Sequence, residues 1–391
     1  MREIWKTLVR TLVSLQLTVV LLILSLVLVF VATLAQVNLG IWAVQEKYFR
    51  SFFIYWQVPG SGFAFPIFPG GYLIGGLLFF NLIAGHVYRF KLNWKKAGIF
   101  LTHFGLMFLL VGELLSGLWQ EDFQMRLDEG QTSNFSESQN PGHNELAIVD
   151  TTDPKWDEVV AIPEKLLARG NPIQHPKLPF RVAIRAYYPN AEVQMRSQVT
   201  NPPPPLATSG MGAEIAVTPR PVTDKPNEID TPAASVELIG TNGSLGTWLV
   251  STLLANPQTF TSDGKTWKLV LRPERYYKPF SLTLLKITND FYPGSDIPKN
   301  FVSRVRLKTQ DGATDREVSI YMNNPLRFAG LTFYQYQMNA ATRNSVLQVV
   351  RNPSWRLPYV ACLLMSLGLL IQFGISLYGF LRKRSATAKL I

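Results

Sequence analysis

The sequence predicts a membrane α-helical fold of four transmembrane helices, three N-terminal and one C-terminal, with a large inserted all-β, sandwich-like domain. Three observations support this fold class. Three charge-free apolar runs exceed the roughly 20 residues that a spanning helix needs, and a fourth apolar run, 98–117, reaches that length with one charged residue, Glu113. The long stretch between the third and fourth runs alternates polar and apolar residues, as short strands do. Basic residues gather in short segments beside the runs.

The apolar runs determine where the transmembrane helices are predicted. No charged residue falls in 11–45, 51–88, 97–112 or 357–381. We place the transmembrane helices at about 12–35, 71–88, 98–117 and 356–381. Residues 32–35 (ATLA) resemble a signal-peptide cleavage site, but the first run far exceeds the 7–15 apolar residues of such a peptide. We therefore predict an uncleaved signal anchor.

A net charge of +11 is typical of proteins that bind nucleic acids, but the positions of the basic residues argue against such a partner. The short segments at the chain ends and in the 89–97 turn hold one anion, Glu3, and eleven cations: Arg2, Lys6, Arg10, Arg89, Lys91, Lys95, Lys96, Arg382, Lys383, Arg384 and Lys389. The rest of the chain is nearly neutral, with 27 basic and 26 acidic residues. The high charge therefore reflects membrane orientation, and no nucleic acid is predicted.

By the positive-inside rule these basic segments are cytoplasmic. The predicted plan has an N-terminal membrane region at 1–118 with a cytoplasmic basic turn at 89–97, a β-rich domain at 119–355 outside, the fourth helix at 356–381 and a cytoplasmic basic tail at 382–391. Both termini are then cytoplasmic. The loop 37–68 is rich in aromatic residues, which suits an outer membrane-surface segment or the lip of a ligand entrance.

Eleven segments of the middle region show the period-two pattern of strands. The clearest hairpin lies at 303–322, where Val305 and Leu307 face one way, arginines alternate with them, and Asp311-Gly312 supplies the turn. Few helical periods interrupt these segments, so the domain is predicted to be all-β. The Pro-rich stretches 201–205 and 219–232 suit either loops or a boundary between two β lobes.

The candidate chemistry lies in the membrane. His86 ends the second helix and His103 begins the third, so both imidazoles fall near the basic turn, on adjacent antiparallel helices. An ionisable residue in a span is a functional hypothesis by default, and imidazole is a common ligand of transition metals and haem iron. Either ring could instead bond a neighbouring carbonyl, and His86 could reach the near interface. Met107 shares a helical face with His103.

Other candidate chemistry is weak. His143 and His175 lie in polar or Pro-rich loops, and no hydrolase or nucleotide-binding motif occurs in a supporting context. The single cysteine, Cys362, excludes a disulfide framework and is expected to be a small buried apolar side chain. Spacing alone does not distinguish haem from another metal.

The segment 281–337 resembles the ResB family, also called CcsB or Ccs-type. The motifs are DFYPGSDIPKNFVS, the Asp-Gly hairpin and IYMNNPLRFAGLTFYQ, together with the helix HFGLMFLLVGELLSG that enters the β domain. The four-span layout is also similar from end to end.

The resemblance implies a System II cytochrome c biogenesis factor in a bacterial-type inner membrane. With a ResC/CcsA-type integral membrane partner it would move haem b across the membrane and present it for attachment to apocytochrome c, beside a thioredoxin-like thiol reductant. By motif, His103 of THFGLM would be the axial ligand of haem iron, His86 a secondary ligand, and Met107 a wall of the pocket. The chain would be one subunit of a haem-lyase-type complex and not an enzyme alone.

Two other functions remain open at this level. The first is a membrane scaffold that positions apocytochrome or the thiol reductant and never binds haem. The second is a sensor, which the short cytoplasmic segments disfavour because they are too small to form an output domain.

Overall fold

The computed structural model describes residues 2–57, 63–88, 93–140, 142–153, 156–223, 230–254, 256–291, 294, 298–339 and 341–388. The chain divides into two units. The membrane unit consists mainly of Met1–Gln120 and Asn352–Ile391, and the β unit consists of Glu121–Asp224 and Glu228–Arg351. Arg89 and Lys91 of the basic turn, Lys389 of the tail, and 292–293 and 295–297 of the family motif lie outside the described residues.

The α-helices occur in both units. In chain order they are α1 (Arg2–Leu12), α2 (Leu15–Val44), α3 (Gly71–Tyr88), α4 (Ala97–Trp119), the short α5 (Glu164–Ala168) of the β unit, and α6 (Leu357–Ala388). Four stretches are long and apolar enough to cross a membrane: Leu15–Gly40, Gly71–Tyr88, Trp94–Trp119 and Leu357–Ser385. The four predicted helices are therefore present, and α3 matches its predicted bounds.

The first predicted span needed two corrections. The chain breaks between α1 and α2, and α2 stays helical to Gly40, whose φ of 75° interrupts the helix. The stretch predicted as a loop at 37–68 instead continues α2, passes through a π-helical turn at Gln45–Phe49, and forms an antiparallel hairpin of β1 (Phe53–Gln57) and β2 (Ala64–Pro69). Aromatic residues favour extended backbone, which the interfacial interpretation of these residues overlooked.

Apolar side chains pack the first half of the membrane unit. Leu21 and Leu28 of α2, Ile54 of β1 and Ile74 of α3 form one buried cluster. The cluster joins α2, the hairpin and the start of α3 into one packed group.

The β unit contains seventeen strands within the described residues. They are β3 (Glu121–Asp128), β4 (Thr132–Ser138), β5 (Asn144–Asp150), β6 (Glu158–Pro163), β7 (Arg181–Tyr188), β8 (Ala191–Met195), β9 (Ile215–Pro219), β10 (Ala233–Gly240), β11 (Gly243–Ser251), β12 (Gln258–Ser262), β13 (Lys265–Pro273), β14 (Arg275–Phe291), β15 (Pro298–Thr309), β16 (Asp315–Tyr321), β17 (Leu326–Phe328), β18 (Leu331–Asn339) and β19 (Asn344–Arg351).

One lobe of the β unit is inserted into the other. The inserted lobe, residues 144–273, is a sandwich of the four-stranded sheet β12-β13-β5-β6 and the three-stranded sheet β11-β10-β7. Leu146, Val236 and Trp267 belong to the single core cluster that both sheets share. This lobe agrees with the predicted sandwich.

The split lobe, residues 121–138 and 275–351, is a single eight-stranded sheet in the order β16-β15-β14-β4-β3-β19-β18-β17. Ser303 of β15 donates to Gln335 of β18 at 2.6 Å, although five positions separate these strands in the sheet. The sheet must therefore curl so that one face closes on itself, around a core that includes Leu127, Phe280 and Phe333. This lobe is not a sandwich of two sheets.

All eleven predicted strand segments are strands. In the clearest hairpin, Val305 and Leu307 are fully buried, Arg304 and Arg306 are exposed, and Gly312 in the turn has a φ of 72°. Residues 201–205, 220–223 and 230–232 of the Pro-rich stretches are loops inside the inserted lobe, and 224–229 lie outside the described residues. The lobes join instead at 138–144 and 273–275. Cys362 is exposed on α6, so the expectation that it is buried was wrong.

Candidate functional site: two membrane histidines

His86 and His103 meet between α3 and α4. His86 lies in the last turn of α3 and His103 in the second turn of α4. Nδ1 of His103 is 3.3 Å from Nε2 of His86, and the ring centroids are 5.0 Å apart at an interplanar angle of 85°. The sequence predicted that the two residues would be neighbours on antiparallel helices, and the structure brings the rings into direct contact.

The backbone of α3 orients the pair. Nδ1 of His86 lies 2.8 Å from the carbonyl oxygen of Leu82, one turn earlier. A carbonyl oxygen only accepts, so this ring nitrogen carries the proton. Nε2 of a neutral His86 is then an acceptor, and Nδ1–H of His103 donates to it. The lone pair of His103 is left on Nε2, because the bond made by one ring nitrogen fixes the role of the other.

A stripe of aromatic rings runs along α4 from a start beside His86. The ring of Phe100 lies 5.8 Å from that of His86. Phe104 stacks on Phe100 at 6.1 Å and 7°, and Phe108 follows at 5.0 Å from Phe104. These residues recur every four positions and so follow one side of the helix. Phe104 is 39% exposed, so this apolar stripe is available to a further apolar body.

Met107 lies one helical turn beyond His103 and is partly buried. Its position on the histidine face agrees with the helical spacing of the sequence. Its predicted role as a pocket wall stays a prediction.

Three glycines, which we call the glycine seam, pack α4 closely against α6. Gly98, Gly105 and Gly112 are buried and repeat every seven residues against α6. A Cβ added to Gly98 would lie 2.4 Å from the carbonyl oxygen of Gly368, and one added to Gly105 would lie 2.9 Å from that of Ala361. The two backbones are thus in close contact, as small residues allow in membrane helices. His103, two residues from Gly105, projects away from this seam.

Asn81 is a polar residue whose role the sequence did not reveal. It is 6% exposed, and its Nδ2 donates to the carbonyl oxygens of Leu12 at 2.6 Å and Ser14 at 3.2 Å. Its Oδ1 accepts from Oγ1 of Thr18 at 2.7 Å. Asn81 therefore supplies a donor to the carbonyl oxygen of Leu12 where α1 ends, and a further donor to that of Ser14, which also accepts from the backbone N–H of Thr18 at 3.4 Å. A lone amide inside an apolar span was the available signal, since such residues rarely lack a partner.

The two remaining histidines lie in the β unit and make local contacts. His143 Nδ1 is 3.5 Å from a carboxylate oxygen of Glu274. Nδ1 of His175 accepts from the backbone N–H of Lys177 at 3.3 Å, closing a turn. Neither belongs to a cluster of three or more His, Cys, Asp or Glu side chains among the described residues.

The donor set restricts the metals that this site could hold. Among the described residues no three His, Cys, Asp or Glu side chains cluster as a metal site would require. A metal bound by protein groups alone usually needs three or four ligands. Haem iron takes four ligands from the porphyrin and needs only axial ones from protein. One imidazole lone pair is enough for an axial ligand of haem iron, and the described residues add no further donors of the kind that a metal bound by this chain alone would need.

Comparison with known proteins gives two similarities. The sequence model of the ResB-like family matches residues 250–346, which run from the end of β11 into β19. Protein NrfI of Wolinella succinogenes is 30% identical over 113 residues, which is 29% of this chain. The matched stretch spans only 12% of the length of NrfI.

Proposed function

We propose that this chain, whose residues 250–346 match the ResB-like family model, is a membrane subunit of the cytochrome c biogenesis machinery. In this proposal it binds haem b transiently within the membrane, and the haem is then attached to apocytochrome c. A ResC/CcsA-type membrane protein is the proposed partner, and a thioredoxin-like protein keeps the apocytochrome thiols reduced. The chain works as part of a haem-lyase-type complex and not as an enzyme by itself.

The contact between His86 and His103 is the observation that supports haem binding. It leaves Nε2 of His103 as the nitrogen with a lone pair, and the apolar stripe of Phe100, Phe104 and Phe108 begins beside His86 on the same helix as His103. Haem requires an axial imidazole and apolar walls for the porphyrin, and a helix surface can supply both. We assign His103 as an axial ligand and place the porphyrin against this stripe, with Met107 as a further wall.

His86 has a different role in this proposal. Two axial ligands of one haem lie on opposite sides of the porphyrin, with the iron between their nitrogens. Nδ1 of His103 instead bonds directly to Nε2 of His86 at 3.3 Å, which leaves no space for iron between them. We propose that His86 orients His103 and raises its basicity, as second hydrogen-bond partners of metal-bound imidazoles do. The other axial position then belongs to the partner protein.

The proposed orientation places both termini in the cytoplasm and the β unit outside a bacterial-type inner membrane. It is supported by the basic residues at the ends of the spans, such as Lys95, Lys96 and Arg382. Both histidines then lie in the cytoplasmic half of the bilayer, where haem made in the cytoplasm would first be received.

The experiment that tests this proposal measures how much haem the purified complex retains. Wild type, His103→Ala and His86→Ala are each co-purified with the membrane partner, and haem is quantified from the absorption spectrum. His143→Ala is the matched control, because it removes an imidazole from the β unit. Loss of haem in His103→Ala alone or together with His86→Ala supports the proposal. Haem content equal to wild type in His103→Ala would favour the alternative, a scaffold that positions apocytochrome or the thiol reductant.

A further inference from the structure

A second site lies where α1 meets the end of α3. An open cleft of about 340 Å³ separates the two helices there, and it is lined by Trp5, Lys6, Val9, Arg10, Val13 and Tyr88. The haem proposal uses none of these six residues.

The cleft has an apolar floor beside a cationic edge. Trp5 and Val9 of α1 and Val13, the residue after it, recur every four residues and form one row, and Lys6 and Arg10 form the adjacent row. Lys6 pairs with Glu3 at 2.8 Å, and both side chains are largely exposed. Within the described part of the chain, no carboxylate lies at ion-pair distance from Arg10. The edge therefore carries net positive charge.

Hydrogen bonds fix the position of α1 relative to α3, so the cleft between these helices is a defined feature of the fold. Asn81 of α3 holds the carbonyl oxygens of Leu12 and Ser14, and Ser14 accepts through Oγ from the backbone N–H of Gln16 at 3.1 Å. These bonds set the angle at which α1 leaves α2, directly beside α3. The same contacts place the cleft at the level where α3 ends.

That level is the boundary between hydrocarbon and water. Tyr88 is the last residue of α3, a helix apolar enough to span, and Asn93 to Lys96 follow it with polar and basic residues. Trp5 is 63% exposed and Tyr88 60% exposed, and such aromatic rings favour the headgroup region. A ligand here meets cations at one edge and apolar side chains below them.

We propose that this cleft binds one anionic phospholipid. The phosphate lies against Arg10 and Lys6, and the glycerol and upper acyl segments lie over Val9 and Val13. A guanidinium suits a phosphate well because its donors form a planar fork. Free phosphate would use the cationic edge and leave the apolar floor uncovered, so it fits less well than a lipid.

The test uses the full chain in phosphatidylcholine nanodiscs that contain a minor fraction of phosphatidylglycerol with a photoreactive acyl chain. After irradiation, labelled peptides are identified by mass spectrometry. The expected result is labelling at 5–13 and at Tyr88. Photoreactive phosphatidylcholine, used in a parallel sample, is expected to give no enrichment there.

Matched variants separate the site from general charge attraction. Lys6→Gln/Arg10→Gln should reduce labelling at the cleft about 30-fold, since each of the two cations contributes roughly 1 kcal/mol near an anionic surface and about 1.4 kcal/mol is tenfold. Lys383→Gln/Arg384→Gln on α6 removes the same charge elsewhere and should change it less than twofold. Arg10→Lys keeps the charge and should retain most labelling. Lys6 and Arg10 are exposed, so helix content by circular dichroism should stay at the wild-type value.

Three results would overturn the proposal. Equal labelling by phosphatidylcholine would mean that the headgroup charge is not recognised. An equal decrease in the α6 variant would mean that only net charge attracts the lipid. Loss of labelling when millimolar inorganic phosphate is added before irradiation would mean that the site takes the free anion instead.

Discussion

Nδ1 of His103 lies 3.3 Å from Nε2 of His86, and Nδ1 of His86 lies 2.8 Å from the carbonyl oxygen of Leu82. This chain of two hydrogen bonds begins at the α3 backbone and ends at the second nitrogen of His103. It gives the two histidines unequal roles. His103 has a ring nitrogen with a lone pair to offer, and His86 fixes which nitrogen that is.

His86→Ala should weaken haem binding without changing the axial ligand. Removal of the hydrogen-bond partner of a metal-bound imidazole typically lowers affinity about 10- to 100-fold. We expect haem titrated into the purified complex to bind with this loss and with the wild-type absorption maxima. A change of the maxima in His86→Ala, as on loss of a ligand, would instead assign His86 to the iron.

Asn81→Leu should destabilise the break between α1 and α2. The substitution removes the described donor to the carbonyl oxygen of Leu12, and it removes one contact each from Ser14 and Thr18, which still hydrogen-bond each other at 3.4 Å. Interhelical hydrogen bonds of this kind contribute about 0.6 to 2 kcal/mol in membranes. Thermal unfolding of the detergent-solubilised chain should show a lower Tm. Gln16→Leu, an exposed change in the same segment, is the control and should leave the Tm within error.

Gly98→Ala should loosen the seam between α4 and α6. The added methyl would lie 2.4 Å from the carbonyl oxygen of Gly368 and 2.5 Å from Cβ of Gln372, so the helices must move apart. Overpacking of this kind costs about 1–3 kcal/mol. We expect a lower Tm and a partial loss of haem from the complex.

Gly75→Ala on α3 is the matched control for this seam, because nothing lies within 4 Å of the added carbon. Alanine favours helix over glycine by roughly 1 kcal/mol, so its Tm should equal or exceed that of wild type. If both substitutions lower the Tm equally, the close contact between α4 and α6 is not what stabilises the membrane unit.

Lys278 should make the stability of the chain depend on pH. It is 7% exposed, its Nζ donates to Oγ of Ser136 at 2.6 Å and to the carbonyl oxygen of Tyr276 at 3.1 Å, and burial lowers its pKa from 10.5 to about 8. Between pH 8 and 10.5 the unfolded chain binds more protons than the folded chain, so this lysine adds stability as the pH rises. The gain across that window is at most roughly 3 kcal/mol.

Lys278→Met removes this dependence, so the stability of wild type relative to the variant should increase between pH 7 and pH 10. Unfolding followed by tryptophan fluorescence at several pH values measures the difference. Lys308→Met, at an exposed position of β15, is the control and should track wild type at every pH. Parallel curves for wild type and Lys278→Met would contradict the lowered pKa.

Sequence patterns correctly predicted the helices and hairpins whose formation depends on residues close together in the chain. The apolar run before Arg89 predicted α3 with its observed bounds, and the alternation around Val305 and Leu307 predicted the buried face of β15. The positions of His86 and His103 near the same turn predicted their proximity. In each case one helix or one hairpin contains the whole signal.

The pairing of strands that are far apart in the chain could not be predicted from the sequence. Glu121 pairs with Arg351 across β3 and β19, and no local period records that two strands so far apart are neighbours. β4 was missed because its sequence, TSNFSES, is polar although Ser133, Ser136 and Ser138 are buried. The roles of Asn81 and His86 were also hidden, because a hydrogen-bond partner on another turn or helix is set by packing.

Haem content of His103→Ala, measured in the complex purified with the membrane partner, tests the central claim most directly. The account predicts that this variant loses most of the haem that wild type retains, while His143→Ala keeps it. A spectrum and haem stoichiometry for His103→Ala equal to those of wild type would contradict the claim that Nε2 of His103 binds the iron.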